Sequence, residues 1–201
     1  MVSTRRALQA AAAVIACAAA ALVSTGPAQA VYYPTVPASG SFSFTTANGI
    51  LPTWTAEDIA IIGVSPGSVV TATSALNARV SVPIIAKTGT ANAAGGGFRF
   101  NNTDTNASVR CSNPTIDTRA RVVDCVLADG ENAHLFAITS IKSASRVTGS
   151  STVTTVFKGV VLRIADQDMA DYLNDELDTA VFSPSVNVGV GDLVVTRDRV
   201  Q

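Results

Sequence analysis

The chain has 201 residues, with fourteen Lys and Arg against fifteen Asp and Glu, a formal charge of −1. That balance excludes the basic surface of a nucleic-acid binder and the polybasic patch of a protein held on anionic lipid. Charged residues make up only 14% of the chain, against about a quarter in ordinary globular proteins, and one His with three Cys excludes most His-dependent and metal-cluster chemistry.

Residues 1–30 read as a secretory signal. Arg5 and Arg6 give the positive start, an Ala-rich apolar run extends from Ala7 to Val23, and Ala28-Gln29-Ala30 offers small residues at both positions a signal peptidase recognises. Cleavage after Ala30 leaves residues 31–201 as a single all-β domain, with no linker or repeat to divide it. The run is short and weakly apolar for a bilayer span, so no transmembrane segment is expected after cleavage. Thr4-Arg5-Arg6-Ala7-Leu8 resembles the twin-arginine export pattern. Val14-Ile15-Ala16-Cys17 resembles a lipobox, although the chain stays apolar past Cys17, where a lipoprotein turns polar.

Period-two alternation dominates the rest. Phe42 and Phe44 alternate with Ser41, Ser43 and Thr45 in the first run. Thr55 then predicts a short helix through Ile62, with Glu57 and Asp58 in its first turn and Gly63 past its end. Gly63-Val64-Ser65-Pro66-Gly67 fits the G-x-S-x-G nucleophile elbow in letters only. The elbow needs a backbone N–H after the Ser as an oxyanion donor, and Pro66 has none; the segment is a Pro-Gly turn. Val80, Val82 and Ile84 form the next run, where Pro83 predicts an edge or a strand end. Lys87-Thr88-Gly89 resembles the K-T-G box of penicillin-binding proteins, but no Ser in the chain has a Lys three residues later to complete that site.

Phe98 and Phe100, Val109 and Cys111, and Val123, Cys125 and Leu127 continue the alternation. Asn102, Asp104 and Asn106 imitate a calcium loop, yet Ala107 replaces its Gly and Asn113 its final Glu, so a polar turn is the better reading. Once the signal is removed, only Cys111 and Cys125 remain in a chain bound for an oxidising compartment. Placed opposite one another in a hairpin centred on Thr118, they predict a structural disulfide. His134, with Phe136 and Ile138, reads as one face of a strand, and no nearby carboxylate is placed to orient it as a base or ligand. Val160, Leu162 and Ile164, then Val186, Val188 and Val190, complete the strands. Between them Asp166 predicts the cap of a helix to Leu177, with Met169, Leu173 and Leu177 on its apolar side and Tyr172 beside them. Its acidic residues (Asp166, Asp168, Asp171, Asp175, Glu176 and Asp178) read as a solvated face rather than a cation site. Gly189 and Gly191 lack the third Gly of a dinucleotide fingerprint.

Gly95-Gly96-Gly97-Phe98-Arg99-Phe100, Ser112-Asn113-Pro114-Thr115-Ile116-Asp117, Leu135-Phe136 and Leu173-Asn174, followed by a terminal Val-Gly run, resemble small secreted β-rich proteins of actinobacterial type. The strand around Asn113-Pro114 is also similar to that of secreted haem-binding modules of bacterial iron uptake. That second resemblance implies haem held by Tyr and His, but no family position falls on Tyr32, Tyr33, Tyr172 or His134.

The expected architecture is an antiparallel β-sandwich or small barrel with one or two short helices. The expected function is that of an exported, non-catalytic structural or binding protein of the cell envelope or extracellular space. No catalytic, metal or cofactor-binding residue is expected, and the partner is envelope polymer or a second copy. A secreted haem or small-ligand module is the alternative, and an envelope β-barrel pore a further one.

Overall fold

The computed structural model describes residues 34–71 and 76–199. The predicted signal, with Cys17 and the cleavage pair Ala28 and Ala30, lies outside the described residues, as do Tyr32 and Tyr33. Among those described, the order is β1 (Thr35–Thr46), α1 (Ile50–Ala56), β2 (Ile59–Val64), β3 (Ser68–Thr71), β4 (Ala78–Thr88), β5 (Ala91–Ala94), β6 (Gly97–Asn102), β7 (Ser108–Asp117), β8 (Val122–Val126), β9 (Asn132–Thr148), β10 (Thr152–Ile164), α2 (Gln167–Leu177) and β11 (Asn187–Asp198).

The fold is all-β with two short helices. Strands β7-β5-β4-β1-β11-β10-β9-β8 are neighbours in that order, and β8 pairs back onto β7, which closes an eight-stranded antiparallel barrel. Of the two predicted architectures, this closure selects the barrel. Strand β6 carries on along β7 where β5 stops, β2 adds to β6, and β3 adds to β4. A closed barrel leaves few unpaired edges, which suits strands this rich in Val, Ile and Phe.

The two ends of the barrel differ. Helix α1 follows the end of β1, and α2 joins the end of β10 to the start of β11, so both helices lie at the same end. There Trp54, Phe100 and Phe182 pack with ring centroids 5.1 to 5.5 Å apart. At the opposite end the wall is uneven. Strand β9 pairs with β8 only as far as Ala137 and then runs on to Thr148 against β10 alone. Strands β10, β11 and β1 keep pace with it, so one side of the sheet projects past the barrel.

Side chains fill the interior. Phe44 meets Phe42, Phe98 and Phe136 at 5.8 to 5.9 Å, and all four are buried, with Ile116, Val123, Ile138, Val160, Leu162 and Leu193 around them. Gly191 lies opposite Phe44, and a Cβ at Gly189 or Gly191 would collide with Phe44 or the β1 backbone. These two glycines therefore belong to packing.

Helix α2 forms as predicted. Asp166 accepts the Met169 N–H at 2.9 Å as its cap, while Ala170, Leu173 and Leu177 are buried and the six acidic residues are exposed. Three expectations fail. The predicted helix from Thr55 to Ile62 does not form: α1 runs from Ile50 to Ala56, about two turns, and Asp58 at φ 59° breaks it. Ile59 and Ile61 then alternate inward as β2 against β6, because cross-strand burial outweighs a weak capping signal. Pro83 is not on an edge, since β4 lies between β1 and β5. Its carbonyl accepts from Gly95 N–H, so its nitrogen points to the same side, into the gap where β3 has ended and β5 begins. Val186 and Val190 are exposed and only Val188 of that trio is buried; Leu193 and Val195 supply the inward face of β11 instead.

Candidate functional site

Strand alternation fixes which side chains line the uneven end. On β11 Leu193 and Val195 are buried, so Arg197, two residues further on, shares their face; it lies between Ala38 of β1 and Val153 of β10. On β10 Thr155 and Phe157 stand opposite Val195 and Leu193, which puts them on the inner face too. Arg146 and Ala144 of β9 are their partners on the other side. On β4 Lys87 pairs with Asn92, whose side chain is fully buried. Lys87 Nζ donates to Asn92 Oδ1 at 3.1 Å, and Asn92 Nδ2 donates to the carbonyls of Thr90 and Ile116, each at 3.0 Å. Every polar atom of that buried amide is thereby satisfied. Three cations, Arg146, Arg197 and Lys87, thus come to one concave face from three strands.

None of the three is in ion-pair contact with a carboxylate among the described residues, although Asp117 lies near Lys87 and Asp198 follows Arg197. Among the described residues the ion-pair contact is His134 with Asp124, at the start of β9. Burial, and next the charge of Arg197, push the Lys87 ammonium below its ordinary value, with Asp117 opposing both. Asp117 itself is engaged locally: Oδ1 accepts the N–H groups of Arg119 and Ala120 at 2.8 and 2.9 Å, and Oδ2 the Thr90 hydroxyl at 3.0 Å. Burial raises the Asp117 carboxyl, but those hydrogen bonds and the charge of Lys87 outweigh it and hold the group low. Beside this face, Pro37, Ala38, Ser39, Thr152, Arg197 and Asp198 line a shallow depression of about 270 Å³.

Two other depressions occur. One, of about 220 Å³, lies beside α1 and is lined by Leu51, Thr55, Asp58, Ile59, Ile61 and Thr103. The other is a polar hollow on the outer face, where Arg79 donates to the Ser43 hydroxyl at 3.3 Å. Neither brings together a nucleophile and a base.

The predicted disulfide forms between Cys111 and Cys125, with Cα atoms 5.0 Å apart. Its hairpin is not centred on Thr118. Ile116 pairs with Val123 and Asp117 with Val122, so the turn spans Thr118 to Arg121. A bulge between Ser112 and Thr115, with Asn113 at φ 46°, then shifts the register and lets the two cysteines meet. His134 departs further from expectation. A bulge at Leu135 buries both Leu135 and Phe136 and turns His134 outward, 66% exposed, where its Nδ1 meets Asp124 Oδ1 at 2.5 Å. Asp124 is the cross-strand carboxylate missing from the sequence reading, and the consecutive apolar pair Leu135-Phe136 was its one signal.

Asn102 belongs to the fold rather than to a calcium loop. Its Oδ1 accepts the N–H groups of Asp104 and Thr105, and its Nδ2 donates to Leu177 O at 2.7 Å, tying the β6–β7 turn to the end of α2. Among the described residues no three His, Cys, Asp or Glu are placed to share a metal. Gly63 and Val64 end β2, and Ser65 to Gly67 form the turn to β3, with the Ser65–Pro66 peptide cis. Lys87 and Thr88 end β4 and Gly89 and Thr90 form the β4–β5 hairpin turn, so the K-T-G letters mark a strand end and its turn. Tyr172 is half-buried on α2, where burial, then the charges of Glu176 and Asp129, raise its phenol.

No protein-family model matches the chain, and no curated protein is similar to it. Among solved structures the chain is similar to the haem-binding protein HtaB from Corynebacterium glutamicum, with a TM-score of 0.52 and 12% identity, over 83% of this chain and 96% of that one. The likeness is one of fold. It falls on the same kind of protein as the haem-module resemblance, and its source is an actinobacterium.

Haem requires an axial N, O or S ligand facing a pocket. The only described His is exposed and bonded to Asp124, and no His, Tyr, Cys or Met lines any of the three depressions.

Proposed function

We propose that this chain is an exported, non-catalytic binding protein of the cell envelope or extracellular space, and that its partner docks on the inner face of the sheet where β9, β10, β11 and β1 project past the barrel. The observation carrying this reading is the inward placement of Arg197 beside Lys87 without a carboxylate in ion-pair contact among the described residues. A fold gains nothing from collecting like charges on one face, so such an arrangement fits recognition better than stability. The disulfide supports export, because a structural Cys–Cys bond persists in an oxidising compartment. Sedimentation of the mature protein with cell-wall preparations from its producing organism tests the reading. A monomer that stays wholly in solution under all salt conditions contradicts it.

A haem-binding module is the second reading, favoured by the ligand named for the fold neighbour. The absence of a Soret shift on titration with haem removes it. An envelope pore is the weakest, since a channel requires the barrel to be emptied of Phe42, Phe44, Phe98 and Phe136.

A further inference from the structure

The β9–β10 hairpin is free of acidic residues throughout: between Glu131 and Asp166 the chain carries Lys142, Arg146, Lys158 and Arg163 and neither Asp nor Glu. The acids are concentrated instead on α2, at the helix-capped end. The projecting end is thus net basic, with Asp117 and Asp198 as its acids, and the capped end net acidic, although Arg163 lies there.

Within that basic end the inner face is the ordered part. Arg146 faces Thr155 and, one strand on, Val195; Arg197 lies two residues beyond Val195; Lys87 lies two strands from Arg197 across β1. With neighbouring strands about 4.8 Å apart, the three cations follow one another at steps of roughly 10–12 Å along one diagonal of the sheet. Thr155 supplies a hydroxyl on the inner face beside Arg146, while Thr35 and Thr88, bonded to each other at 2.7 Å, lie one residue off the Val36–Lys87 pair and so face the other side of the sheet.

We propose that this diagonal of Arg146, Arg197 and Lys87 is a docking track for a linear, phosphate-bearing polyanion of the cell envelope. The inference rests on the binding-protein reading and names the chemistry of its partner. A linear polymer fits a row of separated cations better than a compact ligand does, because the cations are spread along a line and converge on no single point. The Thr155 hydroxyl offers a neutral hydrogen bond to a phosphate oxygen beside Arg146. Lys87, disfavoured as a cation by its burial and by Arg197, gains most from an arriving anion.

The test uses the mature, disulfide-intact protein and fluorescein-labelled inorganic polyphosphate, with binding followed by anisotropy at low and physiological salt. The wild type is expected to bind at low salt, with an affinity that falls steeply as salt rises. Lys87→Gln, Arg146→Gln and Arg197→Gln together are expected to weaken binding by about 30-fold or more, since each charge-assisted contact contributes severalfold. Arg163→Gln removes one charge from the capped end, as each single track variant does from the inner face; Arg163 Nε donates to Asn187 Oδ1 at 2.8 Å, and its loss is expected to change affinity less than about twofold, against about threefold for each track variant alone. Circular dichroism and melting of each variant confirm that it folds. Equal losses for Arg163→Gln and for the single variants Lys87→Gln, Arg146→Gln and Arg197→Gln would show unspecific charge attraction and overturn the track. So would no polyphosphate binding at low salt, or self-association through the acidic α2 of a second copy in its place. If the protein sediments with wall preparations but ignores polyphosphate, the binding reading stands and this inference fails; if it does neither, both fail.

Discussion

Replacing Cys111 and Cys125 together by Ala is the most informative stability experiment. Both residues are buried, at 2% and 1% exposure, so Ala avoids placing a hydroxyl in the core, as Ser would. The bond closes a loop across a sequence separation of 14. Chain entropy for a loop of that size corresponds to about 3 kcal/mol, lowered to the extent that the β7–β8 hairpin persists in the unfolded chain. In a domain of this size each kcal/mol shifts Tm by about 2–4 °C, so the double variant is expected to melt roughly 6–12 °C below the wild type. Thermal melts of the wild type, the reduced wild type and the double variant separate the causes. Reduction opens the loop with both sulfurs in place, and any further loss in the variant measures the vacated volume. A reduced protein melting within about 1 °C of the oxidised one would refute the argument that the loop constraint stabilises the fold.

Other residues give separate expectations. Asn102→Ala strands the N–H groups of Asp104 and Thr105 and the buried Leu177 carbonyl, and is expected to cost about 2–3 kcal/mol by urea unfolding at unchanged m. Asp166→Ala removes the cap of α2 and is expected to cost about 1 kcal/mol by the same measurement. Asp117, held below its ordinary value of 3.8, contributes stability that is complete above that value and is lost as pH falls through the lowered one. Asp117→Asn is therefore expected to flatten the acid limb of the stability curve below about pH 4, and an unchanged limb would assign that limb to other carboxylates.

Much of the fold was legible because burial follows alternation. Phe42, Phe44, Val80, Val82, Ile84, Val160, Leu162 and Ile164 all face inward as their spacing requires. Asp166 marked α2, and the two cysteines left once the predicted signal is set aside marked each other. What escaped was whatever depends on a long-range register. Ile59 to Val64 carries a weak helix signal that its pairing with β6 overrides, and Pro83 is tolerated mid-sheet only because β3 and β5 leave a gap beside it. Bulges did the rest. One extra residue at Leu135 moved His134 off the core face and onto Asp124, since a single-residue slip reverses every side chain that follows. The basic track was readable in part, as Arg197 continues the inward parity of Leu193 and Val195. Its alignment with Lys87 and Arg146, far away in sequence, needed the barrel.

The most direct test of the central claim, an exported binding protein, is the native and denatured intact mass of the protein recovered from its producing cells. The account predicts a denatured mass of Val31–Gln201 less two hydrogens, and native mass in excess of that chain from a bound partner. A chain that retains residues 1–30, with free thiols at Cys111 and Cys125 and no bound mass, would contradict it.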